Sequence, residues 1–134
     1  DGVESALTGS DVRTVSFPGI HLDLSEHVEK PEYAVCLASN LIVPGDVEGF
    51  LMVASEAPCV GWLDGRKTIE YHGRRAPVPA PHRTEGGVTV PVNLEADRRH
   101  RLILKLSFFR PEMRITVALC DRDMAYVSGF RFEL

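Results

Sequence analysis

The chain has 134 residues, of which 44% are hydrophobic, and a formal net charge of −4. This length and apolar content suffice for one domain with a single core. The negative charge argues against nucleic-acid binding through a basic field, and no apolar run reaches the ~18 residues of a membrane-spanning helix. The opening residues do not resemble a signal peptide, and the start at Asp1 predicts a processed protein or a piece of a larger one.

Apolar and polar residues alternate with a period of two through most of the chain, which predicts strands with one buried face. Residues 1–19 hold the N-terminal segment and first strand, and residues 19–24 continue as a half-buried strand. Residues 32–44 are apolar on both faces, so this strand is covered on both sides or bends midway. The strand at residues 47–55 follows a turn at Pro44, and we expect it to pair with its predecessor.

Two strand-like runs, CVGWL and RKTIEY, flank the dipeptide Asp64-Gly65. Such a pair supplies the positive φ angles of a type I′ turn, which matches the twist of a β-hairpin. We therefore interpret Asp64 as a turn residue rather than a catalytic acid. Trp62, the single tryptophan, precedes the turn by two positions. A lone tryptophan in an all-β protein is more often buried than exposed, which favours a place in the core.

A proline-rich and arginine-rich segment occupies residues 72–87, with three prolines, three arginines and two histidines. Prolines at this density remove ladder hydrogen bonds and favour extended backbone, so the segment is predicted to be a long loop. Loops of this length are uncommon unless they are functional or mobile.

Further strands are predicted at residues 88–94, 101–108, 112–120 and 128–134. Pro91 indicates that the first of these is an edge strand or a bulged one. The whole chain then holds about nine or ten strands and no amphipathic helix. We predict one all-β domain over residues 1–134, an antiparallel β-sandwich of two sheets.

The cysteines and histidines show no metal-binding spacing. Cys36, Cys59 and Cys120 lie far apart in apolar runs. We interpret them either as small buried hydrophobic residues or as one disulfide plus a free thiol. The histidines form no His-x-x-x-His pair, and no nucleotide-binding or serine-hydrolase motif occurs. We therefore expect no metal, no cofactor and no catalytic residues.

Acidic pairs at Asp46-x-Glu48 and Asp121-x-Asp123 supply oxygen ligands that calcium favours, but two carboxylates fall short of a coordination set. Solvated turn residues are the preferred interpretation. Basic clusters also occur, and that of the long loop is the better candidate for an anionic ligand because prolines lower the entropy cost of binding.

The stretches FLMVASEAPCVGWLDGRKTI and VTVPVNLEADRRHRLILKLSFFRPEMRITVALCD resemble the β-sandwich accessory domains of glycoside hydrolases and related multidomain carbohydrate enzymes. The resemblance covers roughly residues 32–123. Asp64 stands where asparagine is usual, and Arg99 to Arg101 stand where glycine and asparagine are preferred. The matching positions are Trp62, Leu63, Gly65, Val92, Leu94, Leu102, Leu104 and Lys105.

The resemblance implies a jelly-roll or galactose-binding-like sandwich without catalytic residues, in which Trp62 belongs to the fold's framework. The first hypothesis is a non-catalytic carbohydrate-associated module that binds a glycan or orients a partner enzyme domain. The alternative is an interaction domain that docks on a neighbouring domain or forms a homo-oligomer. Candidate ligand-binding residues combine an aromatic stacking face with loop polar groups. They are Trp62, Tyr71, His72, Arg74, Arg75, His82 and Arg83.

Overall fold

The computed structural model describes residues 21–23, 34–72, 88–107 and 114–133. These residues form nine strands, and none of them is helical. The strands are β1 (His21–Asp23), β2 (Ala34–Ile42), β3 (Val47–Ser55), β4 (Cys59–Leu63), β5 (Arg66–Tyr71), β6 (Val88–Leu94), β7 (His100–Ser107), β8 (Arg114–Asp121) and β9 (Arg131–Glu133).

The strands form two antiparallel sheets, which confirms the predicted all-β sandwich. Sheet A has the order β1-β8-β3-β6, and sheet B has the order β5-β4-β7-β2-β9. The expected pairing of β3 with β2 is wrong, because the two strands lie in different sheets. Both edges of β2 are paired with β7 and β9, and both edges of β3 are paired with β8 and β6. Residues 43–46 therefore carry the chain from one sheet to the other.

The core lies between the two sheets and is built from alternate residues of each strand. On β3, Leu51 and Val53 face inward while Phe50 and Met52 face outward, as the alternation predicts. Leucines at positions 102, 104 and 106 form the inward face of β7 in the same way. Pro91 lies on β6, an edge strand of sheet A, as predicted.

Two glycines permit close approach inside the sandwich. A Cβ atom on Gly49 of β3 would lie 1.9 Å from the backbone oxygen of Cys120. A Cβ atom on Gly61 of β4 would lie 2.8 Å from Leu104 Cδ2 and 2.9 Å from Ile69 Cβ. Neither position accepts a larger residue without movement of its neighbours.

All three cysteines are free thiols. Cys59 faces the core, and Cys120 is buried on β8. Cys36 is half-buried on β2, on the side of sheet B that faces away from the core. In the described residues, no helix has the length and apolar character needed to cross a membrane.

Candidate functional site

The Asp64-Gly65 turn joins β4 to β5, and both residues have positive φ angles, 50° and 83°. This confirms the predicted hairpin, because a type I′ turn requires positive φ at both central positions. The carboxylate of Asp64 also holds β7: its Oδ1 accepts the N–H of Arg101 at 2.9 Å. The backbone N–H of Asp64 donates to the Arg101 carbonyl at 2.9 Å. Asp64 is thus a turn residue and an anchor between strands.

His100 is a polar side chain in the core, with 2% of its surface exposed. Its Nδ1 lies 2.9 Å from Asp64 Oδ2, to which it donates a hydrogen bond. In that tautomer Nε2 accepts the N–H of Glu95 at 3.1 Å. The imidazole therefore connects the β4–β5 turn to the β6–β7 turn, and burial leaves it no access to a ligand from solvent.

Trp62 does not lie in the core, which corrects the expectation of burial there. Its neighbours Gly61 and Leu63 face the core, so the alternation of the strand directs the indole to the outer side of sheet B. Trp62 pairs with Ile103 of β7 and is half-buried. Ile103 is 4% exposed and lies outside the core cluster.

The strand register defines the surroundings of Trp62 on this outer side of sheet B, which we call the Trp62 face. Lys67 of β5 stands directly opposite Trp62. Arg101 and Lys105 of β7 flank Ile103 at two residues' distance, which makes them diagonal neighbours of Trp62 at about 7–8 Å. On the next strand, β2 contributes the short side chains of Cys36 and Ala38, with Asn40 opposite Arg101. The indole therefore borders a low floor and three cationic side chains.

Two carboxylates also lie on the Trp62 face, and basic groups surround each of them. Glu70 Oε2 lies 3.4 Å from Lys67 Nζ, and this charge, with a hydrogen bond from His72, lowers the pKa of Glu70. Glu133 accepts a hydrogen bond from Arg131 Nε at 2.8 Å, which lowers its pKa. The local environment of both carboxylates is thus positive.

The structure separates the predicted site residues that it describes. Tyr71 faces the core and is 8% exposed, so it does not share a platform with Trp62, and its hydroxyl has no hydrogen-bond partner among the described residues. His72 is exposed at the end of β5, with Nε2 3.3 Å from Glu70 Oε1. The remaining candidates, Arg74, Arg75, His82 and Arg83, lie outside the described residues.

The cations at Lys67, Arg101 and Lys105 were not among the predicted site residues. Their place beside Trp62 depends on the pairing of β4 with both β5 and β7. Lys105 matches a lysine of the resembled pattern, but alternation alone shows only that it faces outward. The pairing of β4 with β7 supplies the missing information for Arg101 and Lys105, whereas the predicted Asp64-Gly65 hairpin could have identified Lys67.

The acidic pairs converge at a cavity of about 380 Å³ between the turn after β2 and the turn after β8, which we call the acid groove. Asp46 Oδ1 accepts the N–H of Ala96 at 2.7 Å, and Asp121 Oδ1 accepts the N–H groups of Asp123 and Ala125 at 2.9 Å. Glu48 pairs with Arg122. These bonds support the interpretation of the acidic pairs as turn residues. Within the described ranges, no three His, Cys, Asp or Glu side chains are arranged to hold a metal ion.

The fold and its outer faces define a β-sandwich domain. The chain is similar to the solved structure of a β-glucosidase from Kluyveromyces marxianus, with a TM-score of 0.56 and 8% sequence identity. The match covers 75% of this chain and 13% of that protein, and at this identity it shows a shared fold. No protein-family model and no curated protein matches the chain.

Proposed function

We propose that the chain is a non-catalytic, carbohydrate-associated module that binds a glycan or orients a partner enzyme domain. The observation that carries this proposal is the outward, half-buried indole of Trp62 on the face of the larger sheet. The apolar face of a pyranose ring stacks on such a surface, while neighbouring polar groups bond its hydroxyls. The shallow face favours weak binding of a single sugar ring, strengthened when several rings of a chain are in contact.

The topology supports a jelly-roll, galactose-binding-like form of this module. Sheet A, in the order β1-β8-β3-β6, packs on the β5-β4-β7-β2 part of sheet B, and every consecutive pair of strands from β1 to β8 except β4 and β5 is divided between the two sheets. Two interlocked Greek keys give this kind of order. The solved β-glucosidase supports the proposal as well, because a domain covering 13% of that enzyme has the same fold. A module that accompanies a larger enzyme would need no catalytic residues of its own.

A glycan array probed with the folded chain at low salt tests the proposal. We expect weak binding to at least one polysaccharide, and we expect Trp62→Ala to abolish it. Tyr71→Phe is the matched control, because it alters an inward aromatic residue and removes a hydroxyl that has no hydrogen-bond partner in the described part of the chain. An Arg74→Ala/Arg75→Ala variant tests the long loop. A well-folded chain that binds no glycan would refute the glycan-binding form of the proposal.

An interaction domain is the second candidate, and two exposed apolar side chains favour it. Met124 and Tyr126, in the turn after β8, are 51% and 48% exposed. The Tyr126 ring contacts Phe130 at 6.2 Å between centroids, which holds the ring in place at the surface. Rigid exposed aromatic residues are common anchors of protein interfaces. A mass in solution that rises with concentration, and that Tyr126→Ser returns to the monomer value, would favour this candidate.

A further inference from the structure

Four residues form an apolar row across the outer side of sheet A. Phe50 of β3, which faces outward, stands opposite Cys120 of β8 at one edge of its strand and opposite Pro91 of β6 at the other. Tyr126, in the segment after β8, stands opposite Cys120 at the other edge of β8. Residues directly opposite each other in antiparallel strands point to the same side of a sheet. We call Tyr126, Cys120, Phe50 and Pro91 the apolar row.

The apolar row is accessible in the folded chain. Tyr126 is 48% exposed, Pro91 is exposed, Phe50 is half-buried and Cys120 is buried. At the Tyr126 end, Met124 adds an apolar side chain that is 51% exposed. Met124 and Tyr126 are the exposed large hydrophobic residues of the described part of the chain. The accessible apolar surface therefore concentrates at this end of the row.

Backbone hydrogen bonds hold the segment that carries Tyr126 against β8. The N–H of Asp121 donates to the carbonyl of Ala125 at 2.9 Å, and the N–H of Val127 donates to the carbonyl of Leu119 at 2.8 Å. A side chain that is already ordered loses less conformational entropy when a partner binds. The surface is therefore prepared for contact before a partner arrives.

The apolar row offers apolar contact and few hydrogen bonds. Phe50 has no polar group in its side chain, and Pro91 has no backbone N–H. Small polar ligands such as sugars need several polar groups beside the surface on which they stack. The Tyr126 hydroxyl is the main polar side-chain group of the row. Apolar side chains of another protein therefore suit the row better than a glycan does.

The acid groove borders the apolar row and gives it a charge. Glu48 lies two residues before Phe50 on the same side of β3, about 7 Å away along the strand, and it pairs with Arg122. Three further carboxylates line the groove and form no ion pair with a described residue; they are those of Asp46, Asp121 and Asp123. The groove therefore keeps negative charge beside the row, and this charge attracts basic groups.

The dimensions of the row suit a short amphipathic segment. From Tyr126 to Pro91 the row spans three strand spacings, or about 14 Å. A helix of about ten residues has this length, and an amphipathic helix docks through its apolar side. A second copy of the chain suits the surface less well. In a two-fold symmetric pair the surface would meet itself and bring the two negative grooves close together.

We infer that the apolar row and the acid groove together dock a basic amphipathic segment of a partner protein. Its apolar side chains lie on Phe50 and Tyr126, and its lysine or arginine side chains lie at the groove. This inference rests on the form of the proposed function in which the module orients a partner enzyme domain, and it names the surface and the chemistry of the partner. The surface is separate from the Trp62 face, which belongs to sheet B. Binding weakens with rising salt, since the charges are exposed.

Fluorescence anisotropy of labelled peptides, titrated with the full 134-residue chain, tests the inference. The probes are three amphipathic peptides of about twelve residues, alike in their leucines but with lysine, glutamate or glutamine at the polar positions. We expect the lysine peptide to bind, and we expect the glutamate peptide to bind at least about tenfold more weakly, because like charges meet at the groove. The glutamine peptide should lie between the two.

Substitutions locate the binding on the surface. Tyr126→Ser should weaken binding of the lysine peptide about tenfold, and Asp123→Asn should weaken it about threefold. Trp62→Ala and Glu70→Gln are the matched controls, because they remove an aromatic side chain and a carboxylate from sheet B. Both controls should leave the affinity unchanged. Thermal unfolding of each variant verifies that it is folded.

Met124→Asn separates binding from stability. Met124 has a φ of 63°, which asparagine tolerates better than methionine. We therefore expect the melting temperature to hold or rise while binding of the lysine peptide weakens, because an exposed apolar contact is lost. A lower melting temperature with unchanged binding would assign Met124 to the fold and would overturn the docking of a partner at this end of the row.

The contrary outcomes separate the inference from the proposed function. Equal binding of the lysine and glutamate peptides would overturn the inference, and so would equal losses in Tyr126→Ser and Trp62→Ala. A chain that binds no peptide but forms a dimer, which Tyr126→Ser returns to the monomer, would assign the row to a second copy and overturn the inference. Glycan binding that needs Trp62, without peptide binding, would overturn the inference and keep the glycan-binding function. No binding of any peptide or glycan would overturn both.

Discussion

The Trp62 face and the acid groove both gather charged residues, but they use them differently. In the groove, Asp46 and Asp121 accept backbone N–H groups of turns, and Glu48 pairs with Arg122. On the Trp62 face, Lys105 stands in the middle of a sheet with no carboxylate near it among the described residues. The difference teaches that the charges of the groove stabilise turns of the fold, whereas Lys105 on the sheet face has no such partner among the described residues.

Thiol reactivity tests the openness of the Trp62 face and should give the largest contrast. Cys36 is half-buried on that face, whereas burial raises the pKa of the Cys59 thiol to about 12. Because the thiolate is the reactive form, we expect Cys36 to be alkylated at least about a thousandfold faster than Cys59 at neutral pH. Mass spectrometry of peptides after timed labelling measures both rates. Equal rates would contradict the described packing.

Gly49→Ala should produce the largest loss of stability, on the groove side of the molecule. The new Cβ would meet the backbone oxygen of Cys120 at 1.9 Å, so β3 and β8 must separate. We expect the free energy of unfolding to fall by about 4 kcal/mol, measured by urea denaturation. Gly45→Ala is the control, because nothing lies within 4 Å of its Cβ position. Similar losses for the two variants would contradict the close contact at Gly49.

Asp64→Ala should destabilise the edge of the Trp62 face by about 2 to 3 kcal/mol. Alanine at a φ of 50° is strained, and the bonds to Arg101 N–H and His100 are lost. Asp64→Asn tolerates the same φ and keeps an acceptor for Arg101, so about half of that loss is expected. Chemical denaturation compares the two variants. A larger loss for asparagine than for alanine would show that the turn does not depend on these contacts.

Asp121→Ala provides the matching measurement in the acid groove. It removes the acceptor of two backbone N–H groups, as Asp64→Ala removes an acceptor. Unlike Asp64, Asp121 does not have a positive φ angle, so alanine adds no backbone strain there. We expect a smaller loss than for Asp64→Ala, about 1 kcal/mol. The reverse order would mean that the turn after β8 contributes more to stability than the β4–β5 hairpin.

Acid pH should have the smallest effect, and it acts on the Trp62 face. The pKa of Glu70 is lowered from 4.5 in the folded chain by Lys67 first and by a hydrogen bond from His72. A lowered pKa adds stability above the unfolded value, and this stability is lost as the pH falls through the folded pKa. Glu70→Gln should therefore flatten the decline of the melting temperature from about pH 5 to about pH 3. An unchanged acid profile would show that the pairing is too exposed to affect folding.

The sequence predicted the fold well because apolar residues at alternate positions mark the inward face of most strands. Alternation located β3, β7 and β8 with their inward residues, and Asp64-Gly65 identified the hairpin. The prediction that β2 pairs with β3 was wrong. Both strands are rich in apolar residues, and each pairs with strands far along the chain. Local patterns contain no information about such partners.

The site was harder to predict for the same reason. A tryptophan two residues before a turn fits either side of a sheet until the register is known, and Gly61 is the residue that fills the inward position. Lys67 stands opposite Trp62 through the Asp64-Gly65 hairpin, whose predicted two-residue turn already implies this pairing. Lys105 stands beside Trp62 through the pairing of β4 with β7, which spacing along the chain could not predict.

The strand order has a consequence for how the chain folds. Among the described strands, β4 and β5 are the single pair that are neighbours both in sequence and in a sheet. Every other pairing closes a long loop first, and domains dominated by such contacts fold in milliseconds to seconds. A hairpin forms in about 1–10 μs. β4, the strand that carries Trp62, can thus pair with β5 long before either sheet is complete. β7 then pairs with the other edge of β4 in this early hairpin.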